Sequence, residues 1–128
     1  MEKKQLIEKT GKTAQLYFST VKDEEKPYNL WREFDKDLAK DMSLYITGTM
    51  YSREKIPHQT RQLVTVAALT CLAKPEELKL HIHAAFNVGC SKEEIAEVMF
   101  QTSIYAGVPA CNTGLTMLKQ VIEERQET

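Results

Sequence analysis

Apolar residues recur along this chain at the three- and four-residue intervals of α-helices, with polar residues between them. The sequence shows no strand-like alternation of apolar and polar residues, and it contains no hairpin dipeptide, internal repeat or low-complexity run. The pattern therefore predicts an all-α fold, a small bundle of about six helices with short connections.

Two helices are predicted in the first part of the chain. Over residues 4–21 the apolar spacing is loose and Gly11 interrupts it, so this is the weaker signal. The second helix follows Pro27 and should end near Gly48, because glycine commonly follows the last turn of a helix. Its apolar positions are Trp31, Phe34, Leu38, Met42 and Tyr45.

Four more helices are predicted after a connector at residues 49–58. The first covers residues 61–72, although its β-branched side chains are also compatible with a strand. The next begins at Pro75 and ends at Gly89. Ser91 and Glu94 have the spacing of a capping box and open a third, which ends near Gly107. The last helix starts at Pro109.

The predicted helices after residue 60 carry more apolar surface than so small a chain can enclose. Residues 63–72 are apolar nearly all round, and the last two helices have broad apolar faces. Those faces contain Ile95, Val98, Met99, Phe100, Ile104, Leu115, Met117, Leu118, Val121 and Ile122. We therefore expect a homo-oligomer that buries this surface between subunits. A compact monomer with wide apolar stripes is the alternative.

Size and composition narrow the classes of function. A chain of 128 residues with 27% charged residues and few Gly or Pro predicts one soluble domain, residues 1–128. Its 17 basic and 18 acidic residues are interspersed, so we expect neither a nucleic-acid partner nor a membrane surface. No apolar run resembles a signal peptide or a membrane span, and a cytoplasmic location is expected.

One predicted helix places an acid and an imidazole a turn apart. Glu77 and His81 stand at i and i+4 after Pro75, so they share a face that also carries small apolar residues and is expected to be buried. Lys79 and His83 fall on the opposite face, which is expected to be solvated. An interior histidine that merely satisfies its hydrogen bonds is the structural alternative to a catalytic one.

The sequence resembles the carboxymuconolactone decarboxylase family over roughly residues 48–122, with residues 1–47 forming less diagnostic N-terminal helices. The matching motifs, in order, are Arg61-Gln62-Leu63-Val64-Thr65, Pro75-Glu76-Glu77-Leu78-x-x-His81, Gly89, Ser91-x-Glu93-Glu94-Ile95, and Tyr105-Ala106-Gly107-Val108-Pro109-Ala110. The resemblance implies an all-helical subunit assembled as a trimer or hexamer and working without a metal or organic cofactor.

The resemblance also implies a reaction and roles for five residues. The family removes carbon dioxide from a carboxylated γ-lactone, and the dienolate that remains is protonated on carbon. Arg61 would bind the carboxylate of this small anionic substrate, and His81, supported by Glu77, would be the general acid. Tyr105 could donate to the enolate oxygen. Gln62 stands where relatives often have Glu; it could bind the substrate by a hydrogen bond to a carbonyl, or orient His81, but it cannot relay a proton.

Two other functions stay open. The related alkylhydroperoxidase D proteins carry Cys-x-x-Cys-x-x-x-His, but Lys74 and Glu77 occupy the cysteine positions here, which excludes the dithiol mechanism. A peroxidase using a single thiol would need Cys71, Cys90 or Cys111, although none has supporting spacing. The third possibility is a non-catalytic helical oligomer that binds a metabolite or a partner protein.

Overall fold

The structure is a computed structural model that describes residues 1–126. All regular secondary structure in this part of the chain is helical, and it contains no strand, as the sequence predicts. The helices are α1 (Lys3–Phe18), α2 (Pro27–Phe34), α3 (Lys36–Ser43), α4 (His58–Cys71), α5 (Pro75–Asn87), α6 (Lys92–Ala106) and α7 (Val108–Gln126), with a 3₁₀ turn at Asp23–Glu25 and a π-helix at Leu44–Tyr51. Among these residues, no helix is long and apolar enough to span a membrane.

The first compact unit, Met1–Ile56, differs from the prediction in its helix boundaries. Helix α1 runs through Gly11 without interruption. The single helix predicted after Pro27 is instead two helices, because the chain becomes extended at Asp35. The Asp35 carboxylate accepts a hydrogen bond from the backbone N–H of Leu38 and so caps α3.

The π-helix is the second departure. Gly48, predicted to end a helix, lies inside the eight-residue π-helical segment. Segments of this kind are rare and usually only one turn long. Here the segment packs on α1, and a Cβ atom added to Gly48 would lie 2.0 Å from Thr10 Oγ1 and 2.9 Å from Leu6 Cδ1. A bare backbone at position 48 is therefore what allows the contact.

Gly48→Ala is expected to lower the free energy of unfolding by about 1–3 kcal/mol, the usual range for an overpacked interior. Thr10 cannot easily move aside, because its hydroxyl donates to the backbone oxygen of Leu6. Gly11→Ala is the matched control. Nothing lies within 4 Å of its added Cβ, so it should stabilise α1 by roughly 0.5–1 kcal/mol. Urea denaturation of both variants measures their free energies of unfolding. Equal changes in the two variants would contradict the close contact of Gly48 with α1.

The second compact unit begins at Pro57 and contains α4 to α7. Most of its predicted helix boundaries are confirmed, but α4 begins at His58 rather than at residue 61, and α7 begins at Val108 rather than at Pro109. Pro75 starts α5, Ser91 and Glu94 form the capping box of α6, and Gly89 and Gly107 adopt positive φ angles of 100° and 91° after helix ends. The enclosed core consists of Val66, Leu78, Ile82, Ala85, Cys90, Ile95, Met99, Leu118 and Val121.

Helices α4, α6 and α7 approach one another closely at Gly114. A Cβ atom added there would lie 3.0 Å from Thr70 Cγ2 on α4 and 3.3 Å from Met99 Cγ on α6. Thr70 belongs to the same buried face of α4 as Val66 and Gln62, since the three are spaced by four residues. Packing against α7 therefore fixes the helix that carries Gln62.

Candidate functional site

Two of the predicted site residues meet in the interior of the second unit. Gln62 of α4 has no exposed surface, and His81 of α5 is 7% exposed. The side-chain oxygen Oε1 of Gln62 lies 3.0 Å from Nδ1 of His81, within hydrogen-bond distance. An oxygen of a carboxamide can only accept, so in this arrangement Nδ1–H donates and Nε2 is the ring atom that gains or loses a proton.

Burial determines the charge of this imidazole. Removal from water lowers the pKa of His81 from 6.5 to about 4, because the charged ring loses its hydration. The partner on Nδ1 is an uncharged amide, which offers no charge to offset that loss. His81 is therefore neutral at neutral pH in the free protein.

The other end of the Gln62 amide is not satisfied within the described part of the chain. Its nitrogen Nε2 is enclosed and has no hydrogen-bond partner. A buried donor in this condition costs about 1–3 kcal/mol relative to one that is paired. Buried polar groups are rarely left this way, and those that are often mark a place where a ligand or water binds.

The predicted burial of Glu77 beside His81 is wrong. Glu77 is exposed, and no hydrogen bond or ion pair joins it to His81 within residues 1–126. The reason lies in its position along the helix. Glu76 and Glu77 occupy the first turn of α5, where a carboxylate is favoured by the helix dipole and water remains accessible. The core begins one residue later, at Leu78.

Arg61 and Tyr105 occupy different surroundings. Arg61 is half-buried and directly precedes Gln62 on α4. Tyr105 is 76% exposed on α6, where it lines a groove of about 360 Å³ between α4 and α6. Apolar side chains such as Leu63, Val64 and Val98 form most of this groove, and neither Gln62 nor His81 lines it.

The predicted solvation of His83 is also wrong. Its ring is buried, with Nε2 3.4 Å from Glu124 Oε2 and Nδ1 3.3 Å from Arg125 Nη1 on α7. The other carboxylate oxygen of Glu124, Oε1, forms an ion pair with Nζ of Lys79 at 2.7 Å. Burial is the main reason that the pKa of His83 is lowered. No local sequence pattern predicts this cluster, because its members on α5 and α7 are about 40 residues apart.

The cysteines offer little support for thiol chemistry. Cys90 and Cys111 are buried, and burial together with the nearby Glu94 raises the pKa of Cys90 to about 11, which disfavours its thiolate. Cys71 is exposed and lines the groove. In the described part of the chain, no group of three or more His, Cys, Asp and Glu side chains is arranged to hold a metal ion.

Comparison with known proteins places this site in a family. Residues 36–120 match the carboxymuconolactone decarboxylase family. Over 92 residues the chain is 37% identical to the 4-carboxymuconolactone decarboxylase of Acinetobacter baylyi, covering 72% of this chain and 69% of the relative. It is also 36% identical over 93 residues to an uncharacterized 15.0 kDa protein of Paracoccus denitrificans, covering 70% of this chain and 69% of that protein. Gln62 and His81 both lie in the matched range, and the chain belongs to the carboxymuconolactone decarboxylase family.

Proposed function

We propose that this protein is a carboxy-lyase that removes carbon dioxide from a small carboxylated γ-lactone. The observation that carries the proposal is the buried pair of Gln62 and His81 within the family segment. An imidazole kept out of water, with one nitrogen held by a neutral partner, suits the transfer of a single proton. The relative from Acinetobacter baylyi, named 4-carboxymuconolactone decarboxylase, supports the same class of reaction.

His81 acts as the general acid, and binding of the substrate causes its ring to take up the proton that it later donates. In the free protein the ring is neutral, because burial lowers its pKa to about 4. A substrate carboxylate within about 4–6 Å would favour the charged imidazole and raise that pKa. Loss of carbon dioxide breaks a carbon–carbon bond and leaves its electron pair in the lactone as a dienolate. The Nε2 proton then goes to carbon, and one proton from water restores the balance.

The other proposed roles follow the geometry. Arg61, half-buried next to Gln62, binds the substrate carboxylate through its planar, permanently charged guanidinium. Gln62, and not the exposed Glu77, supports the His81 ring, through its hydrogen bond to Nδ1. Tyr105 lines the groove, which His81 does not, so we do not propose it as a donor to the enolate oxygen.

The direct test is turnover of 4-carboxymuconolactone and of simpler carboxylated γ-lactones, with carbon dioxide release and lactone absorbance measured together. We expect one carbon dioxide for each lactone consumed. A thermal-shift series with the same compounds runs in parallel, because a ligand of the folded state raises the melting temperature. A raised melting temperature without turnover would contradict the enzyme and favour a metabolite-binding protein.

We also propose that the chain self-associates through α4 and α6. Side chains exposed on these helices include Val64, Phe100, Ile104 and Tyr105, and the apolar groove lies among them. Apolar surface of this kind is usually covered in assemblies. Light scattering should give a mass that is a multiple of the subunit. Ile104→Glu should reduce this mass, whereas Gln120→Glu, which adds the same charge on an exposed part of α7, should not.

A further inference from the structure

The Gln62 carboxamide has two ends with different tasks. Its oxygen already holds Nδ1 of His81 at 3.0 Å. Its NH₂ group is enclosed and lacks an acceptor within residues 1–126. The bond to His81 accounts for the oxygen of this amide, but nothing within residues 1–126 accounts for its NH₂. An unsatisfied donor next to a proposed proton donor is best explained by an acceptor that arrives with a ligand.

We propose that Gln62 is a ligand-binding residue whose amide NH₂ donates to the carbonyl oxygen of a bound lactone while its oxygen positions His81. The inference rests on the proposed function for the identity of the ligand. Its geometric basis is independent of that function: a fully buried amide, an occupied oxygen and an unoccupied nitrogen.

The carbonyl oxygen is the chemically matched acceptor. When carbon dioxide leaves, the electron pair of the broken bond enters the conjugated lactone, and negative charge accumulates on that oxygen. An N–H donor directed at this oxygen strengthens as the charge grows, so it stabilises the dienolate more than the substrate. The same carboxamide then joins the site of developing charge to the ring that supplies the proton.

A glutamate at this position could not perform both tasks. A carboxylate at neutral pH only accepts hydrogen bonds, so it could hold Nδ1–H but would repel a developing enolate. Glutamine keeps the acceptor and adds the donor. The proposal requires access from outside the core. The turn of α4 that carries Gln62 also carries Thr60, Leu63 and Val64, which line the groove, and we expect the ligand to reach the amide from the groove by displacing these side chains while α4 stays in place.

Nuclear magnetic resonance of the side-chain amides tests the donor without any turnover. The probe is γ-butyrolactone γ-carboxylate, a saturated lactone that cannot form a dienolate and therefore does not react. We expect the Gln62 NH₂ signal, assigned by its loss in Gln62→Glu, to shift as the probe saturates the protein. The NH₂ signal of the exposed Gln120 serves as the reference that stays in place. An unmoved Gln62 signal at saturation would overturn the proposal.

Kinetics give the second readout. Gln62→Glu keeps an oxygen for His81 and removes the NH₂, and we expect kcat to fall by about 10²–10³-fold, the loss typical of one oxyanion donor. Gln62→Met has a side chain of similar length but lacks both the oxygen and the NH₂, and its kcat should fall at least as far. The kcat of Gln120→Glu should equal that of the unchanged protein. Wild-type rates in Gln62→Met would refute the inference but leave the decarboxylase intact. Absence of lactone turnover in the unchanged protein refutes the decarboxylase, and the amide spectrum still decides the role of Gln62.

Discussion

Replacement of His81 by glutamine is expected to lower kcat for a carboxylated γ-lactone by about 10²–10⁴-fold, the usual contribution of a positioned general acid. Glutamine has a polar end that can still pair with the Gln62 amide, so the buried hydrogen bond at 3.0 Å can be replaced. It has no group that titrates. The variant therefore removes the proton that His81 donates while it keeps the buried hydrogen bond and the packing around it.

The matched control is His58→Gln, which removes an imidazole at the first position of α4, in the same unit but outside the Gln62–His81 pair. It should keep its lactone turnover. Steady-state rates, with circular dichroism to verify the fold of both variants, distinguish the two histidines. Equal rates for His81→Gln and the unchanged protein would remove His81 from the mechanism, and equal losses in both variants would point to a general effect on folding.

Acidification is expected to destabilise the protein by about 3 kcal/mol through His81 alone. The pKa of this imidazole is 6.5 when unfolded and about 4 when folded, because burial opposes its charge. Between these values the unfolded chain binds a proton that the folded protein does not. The stability contributed by the neutral ring is therefore fully present above pH 6.5 and is lost as the pH falls toward 4. His83 adds a loss of the same sign, since its pKa is also lowered.

The measurement is urea denaturation at a series of pH values, and the informative range ends near pH 5, above the usual carboxyl pKa of 4.5. Between pH 7.5 and 5 the unchanged protein should lose about 2 kcal/mol more than His81→Gln, because each pKa unit corresponds to about 1.4 kcal/mol. Both proteins keep His83, so its contribution cancels. Parallel pH dependences would show that His81 is not held neutral in the folded state.

The helix boundaries that the sequence predicted correctly depend on local chemistry. Pro75 opens α5, the Ser91 and Glu94 side chains cap α6, and Gly107 ends it with a positive φ, each for reasons confined to a few residues. The boundaries that it missed depend on packing between elements. Gly48 looked like a helix end, yet it continues a π-helix because α1 lies against its backbone.

The candidate site shows the same division. Helical spacing placed Glu77 and His81 on one face, but spacing does not say where the core begins along a helix, and it begins after Glu77. The resemblance to a family drew attention to Gln62 and His81, which belong to different helices, and the structure brings them together. The buried ring of His83 depended on α7, about 40 residues further along the chain, and no local pattern reveals such a partner.

The close crossing at Gly114 has a consequence for selection experiments. Thr70, which a methyl group at position 114 would press against, lies two helical turns from Gln62 on the same face of α4. A displacement of a few tenths of an ångström there would be passed along a rigid helix to the amide that holds His81. Libraries designed to change substrate preference should therefore include position 114 and its neighbours, where small changes in volume adjust the reacting groups from a distance.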